Sequence, residues 1–172
     1  MDKQNFKNWE TPHYILDVVK NALGIAHFHI DVAASIENAK ASTYIDEGMN
    51  GLVSSWNPQN LKLNYAWCNP PYKNIGAWVD KAMEEAFENV NTVMLLPSST
   101  DTKWFHKLRR YDCGIGFVEG RIKFYDPRER KYGASPAHAN LFACIGLQST
   151  FRSMAPTITD AVSEAIKVRK ND

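Results

Sequence analysis

The chain has 172 residues, of which 44% are apolar and 12% aromatic, and its formal net charge is +1. This length suits one hydrophobic core, so we expect a single domain over residues 1–172. No run of about 18 apolar residues exists, which argues against a membrane-spanning helix. The three cysteines lie far apart and residues 1–8 are polar. We therefore expect a cytoplasmic protein with no disulfide framework, no metal and no membrane partner.

The hydrophobic pattern predicts helices that alternate with short strands. A first helix is predicted to begin at Thr11-Pro12, where Thr suits the N-cap and Pro the first helical position, and to end at Gly24. Further helices are predicted after Asn74, over residues 102–110 and from Thr157 onward. The predicted strands cover residues 28–33, 44–45, 65–68, 92–96, 115–118, 122–125 and 140–145.

This order of elements predicts an α/β fold whose sheet is parallel at first and mixed later, flanked by helices. Ligands of such open sheets bind outside the carboxyl ends of the strands. Asp31, Asn69 and Pro97 each stand at the carboxyl end of a predicted strand. We therefore expect three separate segments to converge on one rim of the sheet.

The most informative motif is Asn69-Pro70-Pro71-Tyr72, which follows the apolar strand 65–68 directly. Two prolines stiffen the backbone and leave its carbonyl groups free to accept hydrogen bonds. Asn69 adds a side-chain acceptor, and Tyr72 adds a flat aromatic face. Together these groups suit a planar molecule with an exocyclic NH2, whose nitrogen lone pair is left to attack an electrophile.

Two other segments carry weaker signals. Asp31 ends a strand and is followed by the small residues Ala33, Ala34 and Ser35, which would let a cofactor approach the backbone closely. Its carboxylate could hold a cationic amino group or a ribose hydroxyl. Upstream, Trp9-Glu10-Thr11-Pro12 forms a helix start. Each signal is weak by itself, but both precede Asn69-Pro70-Pro71-Tyr72 within about 60 residues.

In this order, the motifs resemble those of the phage-type DNA N6-adenine methyltransferases, the phage Dam family. The resemblance covers residues 9–145 and is specific because many tryptophans and prolines fall in place. It comprises Trp9-x-Thr11-Pro12, Ile30-Asp31-Val32-Ala33-Ala34, Glu37-Asn38-Ala39-Lys40, Asn50-Gly51-Leu52 with Trp56, Trp67-Cys68-Asn69-Pro70-Pro71-Tyr72, Leu95-Leu96-Pro97, Asp101-Thr102-x-Trp104-Phe105-His106 and Gly120-Arg121-Ile122-Lys123-Phe124.

The resemblance implies a Rossmann-like methyltransferase fold, S-adenosylmethionine as the cofactor and DNA as the partner, in a host cytoplasm if a phage encodes the protein. It implies that Asn69 and the Pro70 carbonyl accept the N6 hydrogens of a flipped-out adenine. Pro71 completes the motif, and Tyr72 stacks on the base. The sulfonium methyl group then transfers directly to N6, with no nucleophilic side chain or metal.

The resemblance also implies a set of cofactor-binding residues. Asn50 departs from the family pattern, which has Asp before Gly-Leu, although Asn keeps an acceptor. Asp46, four residues upstream, is the alternative for the same role. The predicted cofactor-binding residues are Trp9, Thr11, Pro12, Asp31, Ala33, Asp46, Asn50 and Asn69.

Positive charge is concentrated in residues 103–131, which hold nine Lys or Arg and four Asp or Glu. This segment is either a phosphate-contacting face or a solvated surface. Arg121 and Lys123 are candidates to grip phosphate, and Trp104 and His106 are candidates for the rim of the target pocket. A separate target-recognition domain does not fit in the remaining length. Sequence preference must then come from loops such as 36–64 and 126–137, or be low.

Two alternatives to DNA methylation stay open on the residues alone. The same motif presents the amine or amide of RNA bases and of protein glutamine, so either could be the substrate. The second alternative is a catalytically silent cofactor- or DNA-binding protein. The intact Asn69-Pro70-Pro71-Tyr72 argues against it. The sequence leaves the oligomeric state open, a homodimer included.

Overall fold

The computed structural model describes residues 10–126, 129–133 and 137–171. Helices and strands follow the predicted order along the first two thirds of the chain, with three short strands in succession between the first two helices. The elements are α1 (His13–Leu23), β1 (Ile30–Asp31), β2 (Thr43–Tyr44), β3 (Asn64–Cys68), α2 (Ile75–Ala86), β4 (Val90–Pro97), α3 (Lys103–Arg110), β5 (Gly114–Phe117), β6 (Tyr125–Asp126), β7 (Lys131–Tyr132), β8 (Asn140–Ile145), α4 (Ser149–Arg152) and α5 (Met154–Asn171).

The main sheet has six strands in the order β2-β1-β3-β4-β8-β5. The pairs β1–β2, β1–β3 and β3–β4 are parallel, whereas β8 runs antiparallel to both β4 and β5. The predicted α/β architecture, parallel early and mixed later, is therefore confirmed, and it is compatible with a Rossmann-like methyltransferase fold. Strands β1 to β5 all end at the same edge of the sheet, where β8 begins. We call this edge the carboxyl rim.

Helices cover both faces of the sheet. Successive residues of β4 point to opposite sides of the sheet, so alternate residues pack against different helices. Met94 and Leu96 belong to a cluster that includes Trp78 of α2 and Phe105 of α3. Val93 and Leu95 belong to a second cluster, formed with residues of α1 and α5 such as Ile15 and Ile158. All eight residues of β4 are buried. The sheet is thus a rigid base for groups placed at its rim.

Several predicted boundaries differ from the structure. Pro12, not Thr11, is the N-cap of α1, which frees the Thr11 side chain for another contact. Of the predicted strand 122–125, only Tyr125 lies in a strand, the start of β6, although Ile122 is fully buried in the second core cluster. The last helix begins at Met154, before the predicted start at Thr157.

The segment between β5 and β8 lies at the carboxyl rim, since β5 ends and β8 begins there. Its start is fixed by a hydrogen bond from Val118 N to Asn140 O of 3.0 Å. Within it, β6 and β7 form a two-stranded ribbon, and Tyr125 pairs with Glu10. We call the described residues of this segment, 118–126, 129–133 and 137–139, the rim insertion.

Among the helices of the described ranges, none combines the length and apolar character that a bilayer crossing requires.

Candidate active site at the carboxyl rim

Asn69 follows β3 directly and is held by the segment that precedes α1. Its Nδ2 donates a hydrogen bond of 3.2 Å to Thr11 Oγ1. Thr11 is only 2% exposed, so this contact is shielded from water. With the amide nitrogen committed to Thr11, the Oδ1 atom of Asn69 is left to accept a hydrogen bond from a ligand.

The rest of the motif forms a stiff turn that presents an aromatic ring. Pro70 is buried, Pro71 is exposed, and Tyr72 begins a short 3-10 turn that leads into α2. The Tyr72 side chain is 47% exposed, so the ring is available for stacking. Surrounding protein raises the pKa of the phenol by partial exclusion of solvent, and the Asn140 side chain lowers it through a hydrogen-bonding interaction.

Asn140 was not predicted as a site residue. It is the first residue of β8, and it pairs with Pro97, the last residue of β4. Its side chain is 2% exposed, and its Oδ1 is buried without a hydrogen-bond partner among the described residues. The sequence placed Asn140 at the start of a strand, but only the antiparallel register brings that end to the rim beside Tyr72.

Asp31 lies at the same rim, on the strand next to β3. The register places Asp31 opposite Trp67, two residues before Asn69. One carboxylate oxygen accepts a hydrogen bond from Ala33 N at 3.3 Å, and the other accepts one from Lys40 N at 2.9 Å. Burial raises the pKa of Asp31 to about 6, in opposition to these two hydrogen bonds. Each oxygen retains a lone pair for a ligand.

The candidate cofactor residues from the loops also reach this end of the sheet. Ala33 is half-buried in the turn after Asp31. Asp46 follows β2 closely, and its Oδ1 accepts a hydrogen bond from Met49 N at 2.9 Å. Asn50 has a left-handed φ of 57°, and its Oδ1 bonds Leu52 N at 3.2 Å. The turn hydrogen bonds therefore leave the second Asp46 oxygen available, and the Asn50 oxygen retains one lone pair.

Gly51 explains how the loop at 50–52 can lie against β1. A Cβ atom at this position would stand 2.4 Å from Val32 O and 2.7 Å from the Trp78 ring. Trp56 fixes the same loop, because its Nε1 donates to Gly51 O at 2.7 Å. The close approach requires glycine and brings Asn50 next to the end of β1.

A second group of residues that the sequence did not predict lies behind Asp31 and Thr11. Lys40 Nζ is 2.6 Å from Glu10 Oε2, and the two side chains are only 4% and 8% exposed. Lys40 had a signal in the sequence, because it belongs to a segment shared with the phage family. Glu10 had none, because a residue between two motif positions carries no pattern of its own.

The four predicted DNA-contacting residues lie on two elements, Trp104 and His106 on α3 and Arg121 and Lys123 in the rim insertion. Lys123 is exposed in the rim insertion, but Arg121 is half-buried and its Nη1 donates to Ala137 O at 2.9 Å. The Trp104 ring packs against the core and makes an edge contact with Phe105. His106 is exposed on α3.

His106 shares its surface with Arg109 and Arg110, and the three side chains line a shallow depression of about 310 Å³. Trp9 lies outside the described residues. Within the described ranges, no group of three or more His, Cys, Asp or Glu side chains could hold a metal ion. Burial raises the pKa of the Cys68 thiol well above its usual range, so this thiol beside Asp31 stays protonated.

Comparison with known proteins identifies the family. A family model described as DNA N-6-adenine-methyltransferase (Dam) matches residues 1–170. The chain belongs to the Dam family. A DNA N-6-adenine-methyltransferase of Haemophilus phage HP1 is 32% identical over 131 residues, which are 72% of each protein. One of Escherichia phage T1 is 31% identical over 114 residues, 66% of this chain and 45% of that protein.

This Dam-family chain therefore spans under half the length of the phage T1 protein that it matches. The chain that carries the predicted motifs is thus similar to proteins described as DNA N-6-adenine-methyltransferases. The resemblance predicted from the motif order is confirmed. The roles of the individual residues at the rim stay predictions.

Proposed function

We propose that this protein is a DNA adenine N6-methyltransferase that uses S-adenosylmethionine. The observation that supports this most is the adjacency of Asp31 and Asn69, which lie at the ends of two neighbouring parallel strands. A carboxylate for the cofactor and an amide for the target amine thus share one edge of the sheet. Membership of the Dam family favours DNA adenine as the target.

The residues at the rim fit the proposed cofactor. Asp31 is a buried carboxylate with acceptor capacity left after its two amide hydrogen bonds. It is suited to a ribose hydroxyl or to the amino group of the methionine part. Asp46 offers a second carboxylate just after the neighbouring strand β2. Ala33 keeps the turn after Asp31 small. When bound, S-adenosylmethionine supplies an electrophilic methyl group on a sulfonium sulfur.

In the proposed mechanism, the protein orients the target amine. Asn69 Oδ1 and the Pro70 carbonyl accept the two N6 hydrogens, and Tyr72 stacks on the flipped base. With the cofactor held near Asp31, the N6 lone pair would form the new N–C bond, and the electron pair of the broken S–CH3 bond would stay on sulfur. The methylated nitrogen carries a positive charge and releases a proton to solvent. Orientation and electrostatics are the main catalytic contributions.

The proposed DNA surface is the rim insertion, because it leads into Asn140, whose side chain interacts with Tyr72, and because it carries exposed positive charge. Lys123, Arg130 and Lys131 are exposed there. Lys131 also forms an ion pair with Glu129, so Lys123 and Arg130 are the better candidates for phosphate. The half-buried Arg121 supports the base of the insertion. Sequence preference would then come from the loops at this rim.

A transfer assay with competing substrates tests the proposal. Labelled S-adenosylmethionine is supplied with equal masses of unmethylated DNA, RNA and a protein pool. Label in DNA supports the proposal. Label in RNA or in glutamine would favour the corresponding alternative, and a protein that binds cofactor without transfer would be the catalytically silent relative.

A further inference from the structure

A buried ion pair connects the two halves of the proposed site. Lys40 Nζ and Glu10 Oε2 lie 2.6 Å apart, with side chains that are 4% and 8% exposed. Taking two charges out of water is costly, and removing either partner would leave the other buried and uncompensated. The desolvation cost of such a pair beside a ligand site suggests that the pair has a role that apolar side chains could not supply.

On one side, the pair leads to Asp31. The backbone N–H of Lys40 donates to Asp31 Oδ2 at 2.9 Å. The Lys40 side chain then reaches Glu10, which is 30 residues away in sequence. Movement of Lys40 would therefore disturb the carboxylate that is proposed to hold the cofactor.

On the other side, the pair leads to Asn69 and to the rim insertion. Glu10 is followed by Thr11, whose hydroxyl accepts the hydrogen bond from Asn69 Nδ2 at 3.2 Å. The Glu10 backbone is fixed as well, since it exchanges hydrogen bonds of 2.9 and 3.0 Å with Tyr125. One chain of contacts thus runs from Asp31 through Lys40 and Glu10 to Asn69.

We propose that Glu10 and Lys40 are positioning residues that hold Asp31 and Asn69 in a fixed relation during methyl transfer. The inference rests on the proposed function of these two groups. Direct transfer needs the amine nitrogen, the methyl carbon and sulfur to be aligned, and a displacement of about 1 Å can cost on the order of 100-fold in rate. A directional contact between two oppositely charged groups restrains such displacement better than apolar packing does.

Three variants test the pair: Glu10→Gln, Lys40→Met and the double variant. The single variants leave one buried charge, so their Tm should fall. The double variant removes both charges and should recover stability, because an ion pair replaced by neutral groups is often tolerated. We expect kcat at saturating cofactor and DNA to fall at least tenfold in all three. The double variant should be no slower than the slower single one.

Lys81→Met is the matched control. Lys81 Nζ is 2.6 Å from Glu85 Oε1 in a comparably shielded pair on α2, with side chains 14% and 5% exposed. This control should lower Tm and leave kcat and the cofactor Kd within about twofold of wild type. A stable double variant with wild-type kcat and cofactor Kd would overturn the inference. Wild-type protein that neither binds cofactor nor methylates DNA would instead overturn the proposed function.

Discussion

Asn69 Nδ2 donates a hydrogen bond to Thr11 Oγ1 across 3.2 Å, which joins segments that are 58 residues apart in the sequence. The contact selects one orientation of the Asn69 amide and leaves Oδ1 as the acceptor. It also gives the Thr-Pro segment a physical role in addition to its place before α1.

The proposed mechanism assigns the Asn69 side chain to the target amine rather than to the cofactor, so we expect Asn69→Ala to abolish methyl transfer with little change in cofactor Kd. Thr11→Val should lower kcat about tenfold, since it removes the acceptor that orients the amide, whereas Thr11→Ser should retain most of the rate. Calorimetry and single-turnover transfer separate binding from chemistry. Equal rates for Thr11→Val and wild type would mean that Thr11 does not orient Asn69.

Tyr72 is expected to act mainly through its ring. Tyr72→Ala should lose most activity, since base–aromatic stacking is worth about 1–3 kcal/mol. Tyr72→Phe should keep much of it. Because the Asn140 side chain interacts with the phenol, Asn140→Ala should raise the pKa of Tyr72 and slow transfer modestly.

The two changes should not add: in a Tyr72→Phe background, Asn140→Ala should have no further effect on kcat. Transfer rates of the four proteins measure this coupling. A full additional loss in the double variant would show that Asn140 acts on something other than the Tyr72 hydroxyl. Equal losses in Tyr72→Phe and Tyr72→Ala would refute the stacking account.

Asp31 makes cofactor binding depend on pH. Burial raises its pKa from 3.8 to about 6. The pKa of Asp31 is higher in the folded chain than in the unfolded chain, so its protonated form stabilises the fold. This contribution, on the order of 3 kcal/mol, is fully present below pH 3.8 and is lost as the pH rises through about 6. Only the ionised form offers a full charge to the cofactor, so affinity should weaken below pH 6.

Calorimetry from pH 5 to 8 measures this effect, with a slope that approaches tenfold in Kd per pH unit at the acid end. Asp31→Asn serves as the control and should lack this pH dependence, and Asp31→Ala should weaken binding by about 1–3 kcal/mol. A wild-type Kd that follows the same pH profile as Asp31→Asn would remove Asp31 from the cofactor site.

Exposed charge in the rim insertion should set the salt dependence of DNA binding. Replacing Lys123 and Arg130 by Gln should weaken binding to all sequences alike and lower the slope of log affinity against log salt by about one per lost contact. Lys62→Gln is the matched control, because Lys62 is exposed at the opposite end of β3.

Arg121→Gln is expected to act differently, because Arg121 bonds the Ala137 carbonyl and supports the insertion. Its loss should lower Tm as well as DNA affinity. If the salt slopes of the Lys123 and Arg130 variants equal that of the Lys62 variant, the insertion is an ordinary solvated surface and does not contact DNA phosphates.

The sequence predicted most of what positions the site, because strand pattern and motif order are local signals. The parallel strands β1, β3 and β4 and their shared rim followed from short apolar runs that end at Asp31, Asn69 and Pro97. The predicted strand at 28–33 is longer than β1 (Ile30–Asp31), yet His29 N and Val32 N still donate hydrogen bonds to carbonyl groups of β3. The neighbourhood of β1 and β3 was therefore predictable, but the length of β1 was not.

The contacts between distant segments could not be predicted. The Glu10–Lys40 pair depends on how the turn after β1 meets the segment before α1, and Asn140 reaches Tyr72 only because β8 is antiparallel. The hydrogen bond from Arg121 to the Ala137 carbonyl was also beyond prediction, since a basic residue in a basic segment gives no sign that it bonds its own loop.

The most direct measurement of the central claim is product analysis. Unmethylated DNA is incubated with the protein and S-adenosylmethionine that carries a trideuterated methyl group, and the digested nucleosides are examined by mass spectrometry. The account predicts deuterium-labelled N6-methyldeoxyadenosine with wild-type protein and none above background with Asn69→Ala. Label on cytosine, or no labelled nucleoside from protein that binds the cofactor, would contradict it.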